Sequence, residues 1–456
     1  MLEKLLARSF IKLEWKKFGL WVLFSFLVVT VSLCTVLKPY MDPLPLWATN
    51  FTRLTKETDD VFPQERFEPF LAPMCNFSGE KSDFCELEGD IRIQGNSSSI
   101  YFSSLFQVAT TEELQNNTWG IKLYARKTDR YVMGKVKELW LKPISSSSSA
   151  QEMPQCTVNH TLPTIVFSTG GYAGNIFHDT SDVLIPLYLT SLHFHGEVQF
   201  VLQEKHSWWI KRHEVLLKAL SKYDIIDLNR DKETRCFKYA MVGVKSHKDF
   251  GIDPQKFPYG LTLRNFTQFI RKSYSLQREN AIKITKKDRK PRLLIISRKK
   301  TRSILNENEV VTEARNLGYD VEIIDARIDL KYFSKLVNSI DVMVGVHGAG
   351  LTNMVYLPEN AVLVQVVPLG LEAISKMFYE RPARNMNLNY LEYKISVNES
   401  SLIQQYPINH QVITNPNIAK KEGWLNFKKI YMDNQDVRLD ISKFKLVLSK
   451  SLELLH

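Results

Sequence analysis

From Thr164 onward the chain alternates short apolar runs with stretches of helical period. The runs TIVFS (164–168), EVQFVL (197–202) and YAMVGV (239–244) predict strands, with helices over 177–192, 208–220 and 263–276. A second series follows: RLLIIS (292–297), a helix from Glu307, DVEIID (320–325), a helix near Phe333, DVMVGV (341–346) and AVLVQVV (361–367). Strands that alternate with helices predict parallel α/β sheets. Asn306 and Glu309 have capping-box spacing at the start of the 307 helix, and Val310, Val311, Ala314 and Leu317 form its apolar face. The charged, proline-ended stretch 286–291 divides the series into an α/β domain at 75–285 and a second at 292–456. An amphipathic helix over 440–454 is expected to pack back across the hinge.

The N-terminus has a different pattern. Residues 18–37 contain no charge, and at 1.5 Å per residue they match a bilayer core of roughly 30 Å. Lys4, Arg8, Lys12, Lys16 and Lys17 outweigh Glu3 and Glu14, which predicts a cytoplasmic tail at 1–17 and a lumenal bulk. Lys38-Pro39 is no small-residue cleavage site, so an anchor is favoured over a cleaved signal peptide. Proline-rich 38–74 reads as a stem.

Composition adds to this picture. A chain of 456 residues, 44% hydrophobic and 24% charged, suits a globular protein of two domains. The net charge of +11 comes from Lys and Arg scattered among acids, without a nucleic-acid-binding signature. Sequons at Asn50, Asn76, Asn96, Asn116, Asn159, Asn265 and Asn398 all follow the apolar span, as lumenal exposure requires. Beyond Cys34 within the span, Cys75, Cys85, Cys156 and Cys236 suit two disulfides. Cys75–Cys85 is the nearer pair and would leave Cys156–Cys236; the other two connectivities stay open.

Candidate chemistry gathers at strand ends. The 341–346 strand runs into His347-Gly348-Ala349-Gly350-Leu351-Thr352-Asn353 and a short helix. Glycines allow close backbone approach, a helix start offers free N–H groups, and open α/β sheets bind ligands at this edge. Ser297 and Arg298 end a strand of the same sheet, followed by Lys299 and Arg302; Arg298 is shaped to grip a diphosphate. In the first domain a glycine-rich loop, 169–175, leads to His178, Asp179 and Asp182. His178 and Asp182 share a helical face and suit a general base, with the roles of the two open; Asp179 reads as structural. No Asp-x-Asp triplet occurs, so a metal site is not expected and basic groups are expected to neutralise the leaving group. Trp208, Trp209 and Tyr172 are candidates for stacking on a ligand ring, with a core role favoured for the tryptophans.

GVHGAGLTNMVYLP with the downstream VQVVP, the Ser297-Arg298 strand end and GNIFHDTSDVLIPL (174–187) together resemble glycosyltransferase family 61. The resemblance runs from about Cys75 to the C-terminal helix. It implies a GT-B-like fold of two facing Rossmann-like domains, inverting chemistry and a UDP-sugar co-substrate without further cofactor. The pattern Asn175, His178, Asp182, Pro186, Leu187 resembles the animal members and supports His178 and Asp182 as site residues. The anchor and stem resemble Golgi-resident, xylan-decorating plant members with the catalytic part in the lumen. The expected reaction is transfer of xylose or arabinofuranose from a UDP-pentose to xylan. An N-glycan or protein acceptor, a catalytically silent carbohydrate-binding member, and a homo-oligomer or complex with other Golgi glycosyltransferases remain open.

Overall fold

Every residue of the runs 342–346 and 362–367 is buried, so both faces of these strands must be covered. The computed structural model describes residues 74–103, 118–144, 153–257, 260–284, 289–325 and 329–456, all within one unit, Pro69–His456. The expected tail, anchor and nearly all of the stem, the Asn50 and Asn116 sequons and part of the 286–291 linker lie outside the described residues. Among the described residues no helix is long and apolar enough to cross a membrane. The fold is mixed α/β, built on two sheets.

The second sheet has the order Asp320–Asp325, Arg292–Ser297, Val342–Val346, Val362–Val367, Asn389–Lys394, with every pairing parallel. Its first strand in sequence therefore lies between its second and third, and the winding direction reverses between Arg292–Ser297 and Val342–Val346. That reversal opens a crevice at the carboxyl ends of these two strands.

The first sheet joins a parallel part to an antiparallel one. Thr234–Val242, Thr164–Ser168, Gln199–Gln203 and Ile226–Asp227 run parallel. Phe84–Gln94 adds antiparallel to Thr234–Val242, and Ser99–Ser103, Glu138–Pro143 and Trp119–Lys122 extend the sheet beyond it. The helix expected over 177–192 is interrupted: a wide π-helical stretch, Asp179–Leu184, separates Ile176–His178 from Ile185–Ser191. Disulfides join Cys75 to Cys85, directly opposed on paired strands, and Cys156 to Cys236. Asn96, Asn159, Asn265 and Asn398 are exposed and Asn76 is half-buried.

The expected Asn306 cap is not made. Its amide instead donates to Leu439 O (2.9 Å) and accepts from Leu439 N (2.9 Å), satisfying both polar groups of a buried backbone position. This docks the chain leading into the terminal helix, Ile441–Glu453, which packs on Glu307–Asn316 and receives the Tyr319 hydroxyl at Leu448 O (2.9 Å).

Helix Leu263–Ser273 ties the two sheets together through Glu359. That carboxylate accepts from Arg264 Nε (2.9 Å) and Nη2 (2.6 Å), Arg271 Nη2 (3.0 Å) and Asn387 Nδ2 (2.9 Å). Arg271 is buried, whereas Arg264 is half-exposed. Glu359→Ala strands the Arg271 charge and is expected to cost about 3–5 kcal/mol in urea unfolding. Arg264→Ala should cost no more than about 1 kcal/mol; equal losses would show that burial does not control the clamp.

Candidate active site

The crevice at the reversal of the second sheet is lined by arginine. Arg298 directly follows Arg292–Ser297, where its Nε donates to Thr301 O (2.8 Å) and its Nη2 to Thr301 Oγ1 (3.0 Å). Arg302 has a left-handed backbone (φ 54°), a conformation costing about 1–3 kcal/mol. Its Nη1 donates to His347 O (3.0 Å), and its buried Nε has no hydrogen-bond partner among the described residues. Neither guanidinium has a carboxylate within ion-pair distance among the described residues. Burial, then the charge of Arg298, pushes Arg302 down to about 10; burial also lowers Arg298. Both stay charged at neutral pH.

Gly348 completes this wall. A Cβ there would lie 2.7 Å from Arg298 Nη1, so the close approach of the turn to the guanidinium needs glycine. The helix that follows, Ala349–Tyr356, is a tight 3₁₀ helix rather than an α-helix opening near Leu351. Ala349 and Gly350 are partly exposed, while Leu351, Thr352 and Asn353 are buried. Asn353 Nδ2 donates to Gly350 O (2.8 Å) and so holds the turn from inside. Ser297 is buried at the strand end, and Lys299 points to solvent. Of the basic side chains expected here, the crevice gathers Arg298 and Arg302 beside His347 and Gly348.

His347 is fixed in one tautomer by residues that sequence reasoning missed. The Tyr390 hydroxyl donates to Gln365 Oε1 (2.7 Å), which turns Gln365 Nε2 toward His347 Nδ1 (2.8 Å). The Ser375 hydroxyl is a second neighbour of Nδ1 (3.1 Å). Nδ1 is thus an acceptor, and Nε2 carries the proton. The signal available in sequence was Gln365 itself, a lone polar residue in an apolar run.

On the first sheet, Asp182 has no exposed side-chain surface. It accepts from the Tyr124 hydroxyl (3.1 Å) and Arg126 Nη1 (3.3 Å) and lies 2.8 Å from His178 Nδ1. Burial would raise the Asp182 carboxyl, but the hydrogen bond from His178 and the charge of Arg126 outweigh it and hold it below its ordinary value. An ionised carboxylate only accepts, so His178 Nδ1 carries the proton and Nε2 has the free lone pair. Arg126 also binds Asp249 (3.1 Å) and Asp129 (3.3 Å), and Lys81 binds Asp249 (2.5 Å). Sequence reasoning missed Tyr124, Arg126, Asp129 and Asp249, which belong to no local motif.

The two walls meet through aromatic contacts. Phe177, beside His178, packs on Phe378 (4.9 Å between centroids) and Tyr379 (6.3 Å). The Tyr379 hydroxyl donates to Gly348 O (2.8 Å). One aromatic layer therefore links the His178 helix to the arginine crevice. Next to it a cleft of about 410 Å3 opens between Lys81, Asp249 and Phe250 on one side and Met377, Arg381 and Asn385 on the other. Among the described residues no cluster of three or more His, Cys, Asp or Glu side chains could hold a metal ion.

An arginine-lined crevice is thus linked through one aromatic layer to a histidine whose Nε2 lone pair is free of protein partners among the described residues. The comparisons define the class of protein. The family model described as Glycosyltransferase 61 matches residues 249–364. Alpha-1,3-arabinosyltransferase XAT2 of Oryza sativa subsp. japonica is 41% identical, over 87% of this chain and 67% of its own length. Beta-1,2-xylosyltransferase XYXT1 of the same species is 37% identical, over 94% of this chain and 96% of its own. Xylan glycosyltransferase MUCI21 of Arabidopsis thaliana is 36% identical, over 82% and 78%. The chain belongs to glycosyltransferase family 61 and is a glycosyltransferase.

His347 also gives the fold a pH dependence. Burial, then the charges of Arg302 and Arg298, pushes its imidazole down to about 3, and burial takes His193 and His247 to about 4. An unfolded histidine titrates near 6.5, so below that pH the unfolded chain binds more protons. Stability should therefore fall as pH drops from about 6.5 toward 4. His347→Gln should make that fall shallower in urea midpoints measured across the range; an unchanged slope would show that His347 is not buried as a neutral ring.

Proposed function

We propose that this chain is an inverting glycosyltransferase of GT-B type that transfers xylose or arabinofuranose from a UDP-pentose to xylan. The observation that carries the reading is the pair of guanidiniums at the sheet reversal, Arg298 partly buried and Arg302 buried, neither with a carboxylate within ion-pair distance among the described residues. A diphosphate supplies the missing negative charge. The names of the relatives supply the pentose and, through the Arabidopsis relative, the xylan.

His178 and Asp182 divide the base's work by exposure. Asp182 has 0% of its side chain exposed and His178 15%, so the imidazole is the group an acceptor hydroxyl can reach. Nε2 of His178 takes the hydroxyl proton as the acceptor oxygen bonds to the anomeric carbon from the face opposite the diphosphate. The bond from that carbon to the phosphate oxygen breaks, and the charge freed on the diphosphate is met by Arg298 and Arg302. Asp182 remains ionised and stabilises the imidazolium.

In this reading 75–285 and 292–456 are the facing domains, joined at 286–291. Residues 18–37 anchor the protein in the Golgi membrane, 1–17 stay cytoplasmic, and 38–74 hold the catalytic part in the lumen. The exposed sequons would carry glycans there.

The test is to incubate the full-length protein with UDP-xylose and UDP-arabinofuranose side by side on xylo-oligosaccharides, followed by linkage analysis. Transfer from one donor, insensitive to EDTA, is expected; transfer from neither would sink the reading. His178→Ala should lower kcat by about 10²–10⁴-fold, and Arg298→Ala should abolish transfer without unfolding the protein. Full activity in either variant would remove that residue from the site.

A further inference from the structure

The loop that leads to His178 also carries an aromatic surface, and a buried carboxylate holds the two in register. Asp179, beside His178, accepts from Gly174 N (2.9 Å) and Trp209 Nε1 (2.8 Å) and lies 3.2 Å from His213 Nε2. Gly174 belongs to that loop; Trp209 and His213 belong to helix Ser207–Leu220. Asp179 thus fastens the start of the helix to the loop. Trp209 is 0% exposed and serves as the anchor, whereas its neighbour Trp208 is 52% exposed, contrary to the core role its sequence context favours.

Trp208 is nonetheless held in place. Its ring lies over Gly174, whose backbone is left-handed (φ 96°) and where a Cβ would come within 3.0 Å of Trp208 Cη2. The indole also stacks near the His206 ring (5.8 Å, 27°). Two residues before Gly174, Tyr172 is fixed by its hydroxyl on Asp129 Oδ2 (3.1 Å), with its ring 4.3 Å from that of His178. An indole held by a buried network yet left half in water presents apolar area that the fold itself leaves uncovered. Pyranose rings match it, because their C–H faces are apolar while their edges carry hydroxyls.

We infer that Trp208 and Tyr172 form a stacking platform for acceptor sugar rings that flank the ring deprotonated at His178. The platform makes the enzyme prefer a chain of pyranoses over a single sugar. This rests on the reading of His178 as the base, and Asp179 acts as the positioning residue that sets the platform's distance from it.

The test compares methyl β-xyloside, a single ring, with xylohexaose as acceptors for the full-length protein. Trp208→Ala should raise KM for xylohexaose about two- to tenfold, the size expected of one aromatic stack, with a smaller rise for the xyloside. Trp208→Phe should recover most of the difference. Equal KM values in wild type and Trp208→Ala, or equal losses with both acceptors, would overturn the inference. Retardation in a native gel cast with xylan, run without donor, tests binding separately. Wild type retarded more than Trp208→Ala supports the platform even if no UDP-pentose is turned over, which would sink only the proposed reaction; equal retardation overturns the platform.

Discussion

Two guanidinium groups, partly buried Arg298 and buried Arg302, have no carboxylate within ion-pair distance among the described residues and set the conditions for the structure around them. Removing a cation from water costs several kcal/mol unless something answers its charge. Among the described residues their hydrogen-bond acceptors are Thr301 O, Thr301 Oγ1 and His347 O, while the charges of Asp325 and Asp433 act from beyond ion-pair distance. The deficit is sustained because the parallel sheet beneath, buried on both faces, leaves the strand ends no freedom to turn the arginines outward. Burial first, and then the repulsion of a third positive charge beside Arg302 and Arg298, keeps His347 neutral. Interactions left unsatisfied in the free protein are available to stabilise charge that develops on a leaving group.

The first sheet has the opposite balance. Asp182 is surrounded by His178, Tyr124 and Arg126, and Arg126 is itself shared with Asp129 and Asp249. A carboxylate answered this fully is rigid and stays ionised, as the support of a base requires. Phe177, Phe378 and Tyr379 transmit position between the two balances without adding charge. A polar link there would either quench the arginines or compete for Asp182.

Legibility in the sequence follows burial. Strand 292–297 is read to the residue because a buried apolar run with sharp polar ends leaves no second register; 320–325, with only Val321 buried, is bounded instead by Asp320 and Asp325. The antiparallel strand Phe84–Gln94 escapes because Gly89, at φ 121°, breaks its alternation midway. Asn389–Lys394 escapes because it is an edge strand with a polar face. Among the candidate site residues, Arg298 and His347 stand out because each directly follows a strand, and His178 and Asp182 because they share a helical stretch after the glycine-rich loop. Tyr124 and Arg126 were not, since they meet Asp182 across 58 and 56 positions that no local pattern links. Asn306 misled for a related reason: its neighbours in sequence suggest a cap, while its contact with Leu439 lies 133 positions away.

On the proposed reading, the same division of burial separates the chemistry from the choice of sugar. In that reading the residues held in the interior would act on what every donor and acceptor shares, a diphosphate and a hydroxyl proton. Arg298, Arg302, His178 and Asp182 would then carry no information about which pentose is bound. Groups able to distinguish one sugar from another must touch it, and near the site these are the cleft and rim residues, Lys248, Met377, Arg381, Tyr172 and Trp208. Lys248, Met377 and Trp208 are exposed, so substitution there changes contacts without disturbing the charge balances beneath. Specificity is free to change at the surface because the chemistry is secured in the interior.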